Sequence, residues 1–462
     1  MEASIIARSA RKGFLLMLGA MLFILPLLVI PLSTQNPAVH SKELGLRFFL
    51  AVLGVLFVAV WPALLRRRWD LVDLAFLSVT ASGLLATVFS SRPMFSFFEA
   101  WQNWTLPLLG WMVYRVLPST REATRLLVVI AVSAMAATIY GVSAFLGWDF
   151  LQGIYPFLIK AEDGRNYVHS LLGNPEYFGG YVAAVSAVAL LQLLRGGSIV
   201  RLGIWMVVTV SLLFALLLSG TRGAGIGFVL AVALVLIRVW PQLSRRLRRV
   251  TFWGLALLTI LAAAGVVLLS TSNPLNVRNV RLAQRFVALL DLNSTSMRER
   301  VLFYSVSGKM IARHPVLGDG PGTYQLNFYP TVLRLQEDDP RAGVLMMTED
   351  LKGGVADHAH NDYLEIWADR GTVGLAAILF FLTVVVLKFI RLNGESDDSP
   401  IEKDRVLLAL ACFGGAACIF INAAFSFPLH MAVRGSLAWV LAALFLALMR
   451  QQDDALEHEQ DA

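Results

Sequence analysis

Charge is what this chain has least of. Asp, Glu, Lys and Arg make up 15% of its 462 residues, against roughly 25% in a soluble globular domain. With 57% apolar residues and a mean hydropathy of +0.66, that scarcity excludes a soluble enzyme. Cysteine is nearly absent too. Cys412 and Cys418 sit six positions apart inside one apolar run, so they share no helix face, and no ligand spacing surrounds them. A disulfide framework and a cysteine metal site are both excluded. No Walker-type phosphate loop occurs, which disfavours an ATP-driven pump. No internal repeat is detectable. The net charge of +7 does not form a nucleic-acid patch, because most basic clusters lie beside hydrophobic runs, where membrane orientation requires them.

Hydrophobic runs are what the chain does have. They fall at about 13–33, 44–65, 71–90, 98–117, 126–147, 175–195, 202–220, 223–240, 251–270, 371–390, 406–427 and 431–449. Each is close to the roughly 20 residues that a membrane span needs. The expected fold is therefore an all-α polytopic membrane protein of about twelve helices. The first run follows Arg8, Arg11 and Lys12, as a signal peptide would. It is long enough to span and has no small-residue cleavage site, so it reads as a retained helix. One set of connections is basic: Arg66 to Arg68, Arg121 with Arg125, Arg195 with Arg201, Arg245 to Arg249, and Lys388 with Arg391. The positive-inside rule places that set, and both termini, in the cytoplasm. Four regions follow: nine helices over 1–270, a large periplasmic loop over 271–370, three helices over 371–450, and an unstructured acidic cytoplasmic tail over 451–462.

A loop this long is usually functional or disordered. Aromatic and leucine residues at helical spacings argue against disorder. Arg278, Arg281 and Arg285 flank Leu282, Phe286 and Leu290, a pattern that suits either a helix on the membrane surface or an ordinary solvated face. The densest polar cluster closes the loop: Asp357, His358, His360, Asn361, Asp362 and Glu365, before Gly371. Asn361 or Asp362 can cap a helix there, and Gly371 can end it. His360 then sits at a helix N-terminus, where the dipole disfavours its protonated form. A neutral imidazole beside an anion site can act as general base. Asp357, Asp362 and Glu365 could take that role instead, or bind a metal with the histidines, although their spacing matches no zinc signature.

His360-Asn361, nine residues, then Gly371-Thr372-Val373-Gly374 resembles a motif of the O-antigen ligase and polymerase superfamily. Three further segments are similar to that family's. Leu172-Gly173-Asn174-Pro175-Glu176 matches a Gly-Asn-Pro-Asn stretch, with Glu176 departing from the second Asn. Ser219-Gly220-Thr221-Arg222-Gly223-Ala224 matches a Ser-Arg-Gly-Ala turn. Pro315-Val316-Leu317-Gly318-Asp319-Gly320-Pro321-Gly322 matches a Pro-x-x-Gly-x-Gly-Pro-Gly segment. Each is weak alone, but their order and the topology agree.

The resemblance implies a GT-C-like fold in a bacterial inner membrane, acting on the periplasmic face. It also implies a polyprenyl-diphosphate-linked glycan donor and an acceptor hydroxyl on lipid A-core, a growing glycan or a protein. No cofactor or metal is expected, and no nucleic acid; membrane lipid is the remaining partner. Arg222 and His360 are the expected catalytic residues. Guanidinium suits diphosphate stabilisation because it is permanently charged and bidentate; Arg222 could alternatively snorkel to lipid. Arg165, Arg300, Asn174, Asn361 and His358 are expected to bind substrate, with Arg434 in the last outer turn a weaker candidate. Plain readings stand beside these: Arg165 as a surface residue near Glu162 and Asp163, and Asn174 as a helix cap. The rival class is a transporter or flippase, which would carry charges through the bilayer. Here the middles of the runs are nearly uncharged.

Overall fold

The computed structural model describes residues 2–30, 36–65, 67–116, 118–149, 151, 168–240, 245, 248–249, 295–338, 356–392 and 400–460. Among them the chain is helical, with no strand. The helices are α1 (Glu2–Ile24), α2 (Pro37–Leu64), α3 (Leu71–Val88), α4 (Pro93–Glu99), α5 (Gln102–Val116), α6 (Thr120–Phe145), α7 (Pro175–Gln192), α8 (Ile199–Ser219), α9 (Arg222–Val239), α10 (Thr295–Arg313), α11 (Tyr324–Asp338), α12 (Asp362–Arg391), α13 (Pro400–Asn422) and α14 (Ala432–Gln460). Nine of the described helices are long and apolar enough to cross a membrane. The chain is a multi-pass, all-α membrane protein.

Three of the twelve expected spans need comment. The first becomes α1, which starts earlier than expected and carries Arg8, Arg11 and Lys12 within it. The run at 98–117 is broken at Ala100 and Trp101 into α4 and the 15-residue α5. The run at 251–270 lies outside the described residues, as do Arg278, Arg281 and Arg285.

Helix starts follow local chemistry. Asp70 accepts from the amides of Val72 and Asp73, and Asp73 returns a carboxylate to the Asp70 amide. Ser119 and Glu122 repeat this reciprocal cap on α6, which satisfies donors that a helix start otherwise leaves open. At the other end of the chain nothing stops α14. Its acidic segment, expected to be unstructured, continues as helix to Gln460, because Asp453 to Gln460 contains good helix formers and neither Gly nor Pro.

Packing centres on α14. Every residue from 432 to 450 is buried, as befits a helix that is hydrophobic all round. Trp439 of α14 lies 4.7 Å from Phe381 and 5.7 Å from Phe420, ring centre to ring centre. Gly227 lets α9 approach α13 so closely that a Cβ there would sit 2.5 Å from the Cys418 carbonyl oxygen. Small residues at helix contacts are the usual means of close packing in lipid.

The bundle has two distinct polar ends. At one, Arg11 pairs with Glu122 at 2.7 Å, Arg115 with Asp73 at 3.2 Å, and Arg450 with Asp70 at 3.0 Å. At the other lie the starts of α7, α9 and α12 and the turn before α14. There α10 and α11 form a small core of their own, in which Leu302, Phe303, Val306 and Phe328 pack against Ala359 and Ala368. The described part of the large loop is thus ordered, and it leans on the start of α12.

Candidate active site

The start of α12 is built by two sequence motifs acting as one unit. Asn361 accepts from the amides of Tyr363 and Leu364 at 3.0 and 3.1 Å, capping the helix. Nine residues later the helix kinks at Gly371, whose φ of 62° is open to glycine. The segment 315–322 lies along that kink. Asp319 and Gly320 donate their amides to the carbonyls of Ala368 and Asp369, Gly322 donates to the Asp369 carboxylate, and Thr372 donates to the Pro315 carbonyl. A Cβ at Gly371 would fall 2.2 Å from the Val316 carbonyl oxygen. The glycines of both motifs therefore fix the direction of residues 362–370, and with it the turn carrying His358 and His360.

Two buried carboxylates of that turn hold two imidazoles. Glu365 meets His358 Nδ1 at 2.8 Å and accepts the Ala359 amide at 2.8 Å. Its Oε1 lies 3.5 Å from His430 Nε2. Asp362 meets His430 Nδ1 at 2.5 Å and accepts the Leu429 amide at 2.8 Å. Burial alone would lower the pKa of His358, but the charge and hydrogen bond of Glu365, with Asp362 and Asp357, outweigh it and raise it. His430 behaves alike: burial is outweighed by Glu365 and Asp362. The chain Asp362–His430–Glu365–His358 is charge-balanced when both rings are protonated.

His360 is different. Its backbone has a φ of 53°, uncommon without glycine. Its ring stacks on Phe303 at 5.4 Å and meets the edge of Phe427 at 4.9 Å. Its nitrogens take no hydrogen bond among the described residues. Burial lowers its pKa, and the positive charges of Arg300 and His358 add to that. Glu176 and Glu365 oppose it. On balance the protonated form of the ring is disfavoured.

The start of α7 closes the site. Asn174 caps that helix by accepting the Glu176 amide at 2.7 Å, so its plain reading as a cap is fulfilled. Tyr177 meets Phe427 edge-on. Arg434, only 1% exposed, lies over the faces of Tyr177 and Phe427. Its Nη1 makes two long contacts, to Ser426 Oγ at 3.4 Å and the Glu176 carbonyl at 3.5 Å, while its Nε and Nη2 have no partner among the described residues. The Arg300 Nε is likewise buried without a partner.

Arg222 is the first residue of α9, just after the left-handed Gly220 that ends α8. Its neighbour Gly223 abuts Asn422 and Phe425, and the Asp362 amide donates to the carbonyls of Ala423 and Ser426. Arg222 is thus at the histidine end of the bundle, half-buried. Arg165 lies outside the described residues. Sequence reasoning did not single out His430 or Phe427. His430 stands 65 or more residues from Glu365, Asp362 and His358 with no motif joining them, and only its place in the last outer turn, four residues before Arg434, hinted at it.

His358, Glu365 and His430 each offer a ligand atom, all within 4.8 Å of one another. A divalent cation could occupy such a set. The 2.8 Å between His358 Nδ1 and Glu365 is shorter than the ~3.3 Å between two ligand atoms on one tetrahedral zinc with bonds of about 2.0 Å. A proton fits that gap better than a metal ion.

Residues 205–379 match the family model described as O-Antigen ligase. Over that stretch the chain is similar to the O-antigen ligases. The match supports the resemblance to the O-antigen ligase superfamily, and the matched stretch contains Arg222, Arg300, the 315–322 segment and the His360 motif through Gly374. Asn174, Glu176, His430 and Arg434 lie outside it, and His430 reaches into it through Asp362 and Glu365. No curated protein sequence matches the chain.

Proposed function

We propose that this protein transfers a glycan from a polyprenyl-diphosphate carrier to an acceptor hydroxyl, with a lipid A-core sugar the leading acceptor. The observation that carries the reading is His360: an imidazole at the capped start of α12 whose nitrogens take no hydrogen bond among the described residues and whose protonated form burial disfavours, inside the stretch that matches the O-antigen ligase model. Basic residues gather at the opposite end of the bundle, beside the start of α1 and the Arg450 turn of α14, so the positive-inside rule supports a periplasmic site and cytoplasmic termini.

In this reading His360 takes the proton of the acceptor hydroxyl as its oxygen bonds to the anomeric carbon. The bond from that carbon to the diphosphate breaks, and its electron pair leaves with the diphosphate. Arg222, with Arg165 or Arg300, neutralises the charge that develops there. Asn361 holds the turn, and His358 is locked by Glu365 as a fixed positive neighbour. No metal or nucleotide takes part. Direct displacement inverts the anomeric centre, a stereochemistry that rests on the family resemblance.

The test is reconstitution in lipid with a labelled polyprenyl-diphosphate glycan and three acceptors: lipid A-core, a free glycan end and a serine-bearing protein. Label on lipid A-core, undiminished by chelator, supports the ligase. Label on the glycan end makes it a polymerase, and label on protein an O-oligosaccharyltransferase. Movement of unreacted donor between leaflets, with no transfer, would favour a flippase. In the same assay Arg222→Lys keeps the charge but loses bidentate contact, so transfer should fall about tenfold or more at normal expression. Unchanged transfer would make Arg222 an interface anchor.

A further inference from the structure

Between α1 and α6 an apolar groove of about 950 Å³ opens on the outer surface of the bundle. Leu15, Leu16, Gly19, Phe23, Val128 and Val132 line its length. Lys12 and Arg125 stand at one end, both exposed, and neither makes a hydrogen bond or ion pair among the described residues. Glu122 is also at that end, but Arg11 occupies both of its oxygens at 2.9 and 2.7 Å. The mouth therefore offers two unneutralised cations above a wholly apolar trough.

We propose that this groove binds one anionic glycerophospholipid, its headgroup phosphate between Lys12 and Arg125 and its acyl chains along Leu16 and Val132. Charge complementarity selects the occupant. A zwitterionic lipid brings its own positive group to the same cations, whereas an anionic one does not, and attraction of this kind is worth about 1 kcal/mol per basic residue. The position excludes the glycan donor's headgroup. Ala137, twelve residues beyond Arg125 on α6, accepts from Ser170 Oγ, close to the Asn174 cap of the active site. At ~1.5 Å per residue the groove mouth is about 18 Å along the helix axis from that level. The inference is independent of the reaction proposed above.

Native mass spectrometry of the full chain, purified in detergent with equal phosphatidylglycerol and phosphatidylcholine of matched chains, tests it. One phosphatidylglycerol should be retained with a preference of about tenfold or more. The double variant Lys12→Gln/Arg125→Gln should bring that preference below about twofold with an unchanged thermal melt. Leu16→Trp, at a position 75% exposed and so free to accept a large ring, should reduce retention of both lipids while leaving the cations in place. Equal retention of both lipids by the unaltered chain would overturn the proposal, as would full selectivity in the double variant. Displacement of phosphatidylglycerol by equimolar polyprenyl phosphate would reassign the groove to an isoprenoid.

Discussion

The two polar ends of this bundle solve the same problem in opposite ways. Each buries an arginine in a helical core, at positions 115 and 434. Arg115, which also lies over the Trp61 and Trp69 rings, reaches the Asp73 carboxylate and the carbonyls of Leu64, Arg67 and Arg68 with its two terminal nitrogens, all within 3.2 Å. Its Nε is left without a partner among the described residues, and Trp111 supports Asp73 from its other side at 2.8 Å. Arg434 has two contacts no shorter than 3.4 Å, two nitrogens without partners, and aromatic rings beneath it. A buried guanidinium without a counter-charge or short hydrogen bonds is costly, so an end that holds one is arranged for something other than stability. The charge-paired end is architecture. The open end, with His360 and Arg300 beside Arg434, is where a ligand can complete the network.

The sharpest way to break that comparison is at the charge-paired end. Asp73→Asn leaves Arg115 buried without its counter-charge, which costs about 3–5 kcal/mol. Unfolding in detergent should shift accordingly, while transfer per folded molecule stays near normal. Loss of transfer with unchanged stability would make this end functional as well. Next in size is His360→Ala. General-base removal slows transfer about a hundredfold or more, with the thermal melt unmoved and donor binding little changed, because the proton moves only during reaction. Near-normal transfer would move the base to Asp357, Asp362 or Glu365. A loss of donor binding would recast His360 as a phosphate ligand.

The smallest effect tests electrostatics inside the open end. A base must be unprotonated, so transfer falls as pH drops through the pKa of His360, which burial already holds below its ordinary value. Glu176 is the strongest charge opposing that shift. Glu176→Gln should therefore lower the pKa further and move the acidic limb of the rate profile to lower pH. A limb that stays in place, or moves up, would remove Glu176 from the neighbourhood of the base.

Much of this was legible in the residues. Hydropathy runs revealed nearly all of the spans because lipid imposes one rule, an apolar stretch of fixed length. The cap at Asn361, the kink at Gly371 and the tight turn before Arg222 could be read because each depends on a few adjacent residues. What could not be read depends on distance in the chain. His430 reaches Asp362 across 68 positions, and no periodicity carries that. The break at Ala100 was hidden because α4, Trp101 and α5 are all apolar enough to resemble one run. The helical end of α14 was missed for another reason: acidity was taken as disorder, whereas helix propensity acts through Ala, Leu and Glu alike.

The central position of α14 also bears on how the protein is assembled. Every other described helix precedes it in the chain, and domains form as synthesis proceeds. The helices that surround α14 must therefore enter the bilayer before their common neighbour exists. Phe76, Phe381 and Phe420, whose rings meet Trp439, have only lipid or one another to face during that interval. Insertion and closure are consequently separate events, and a ribosome that stalls before residue 432 leaves a ring of inserted helices without its axle.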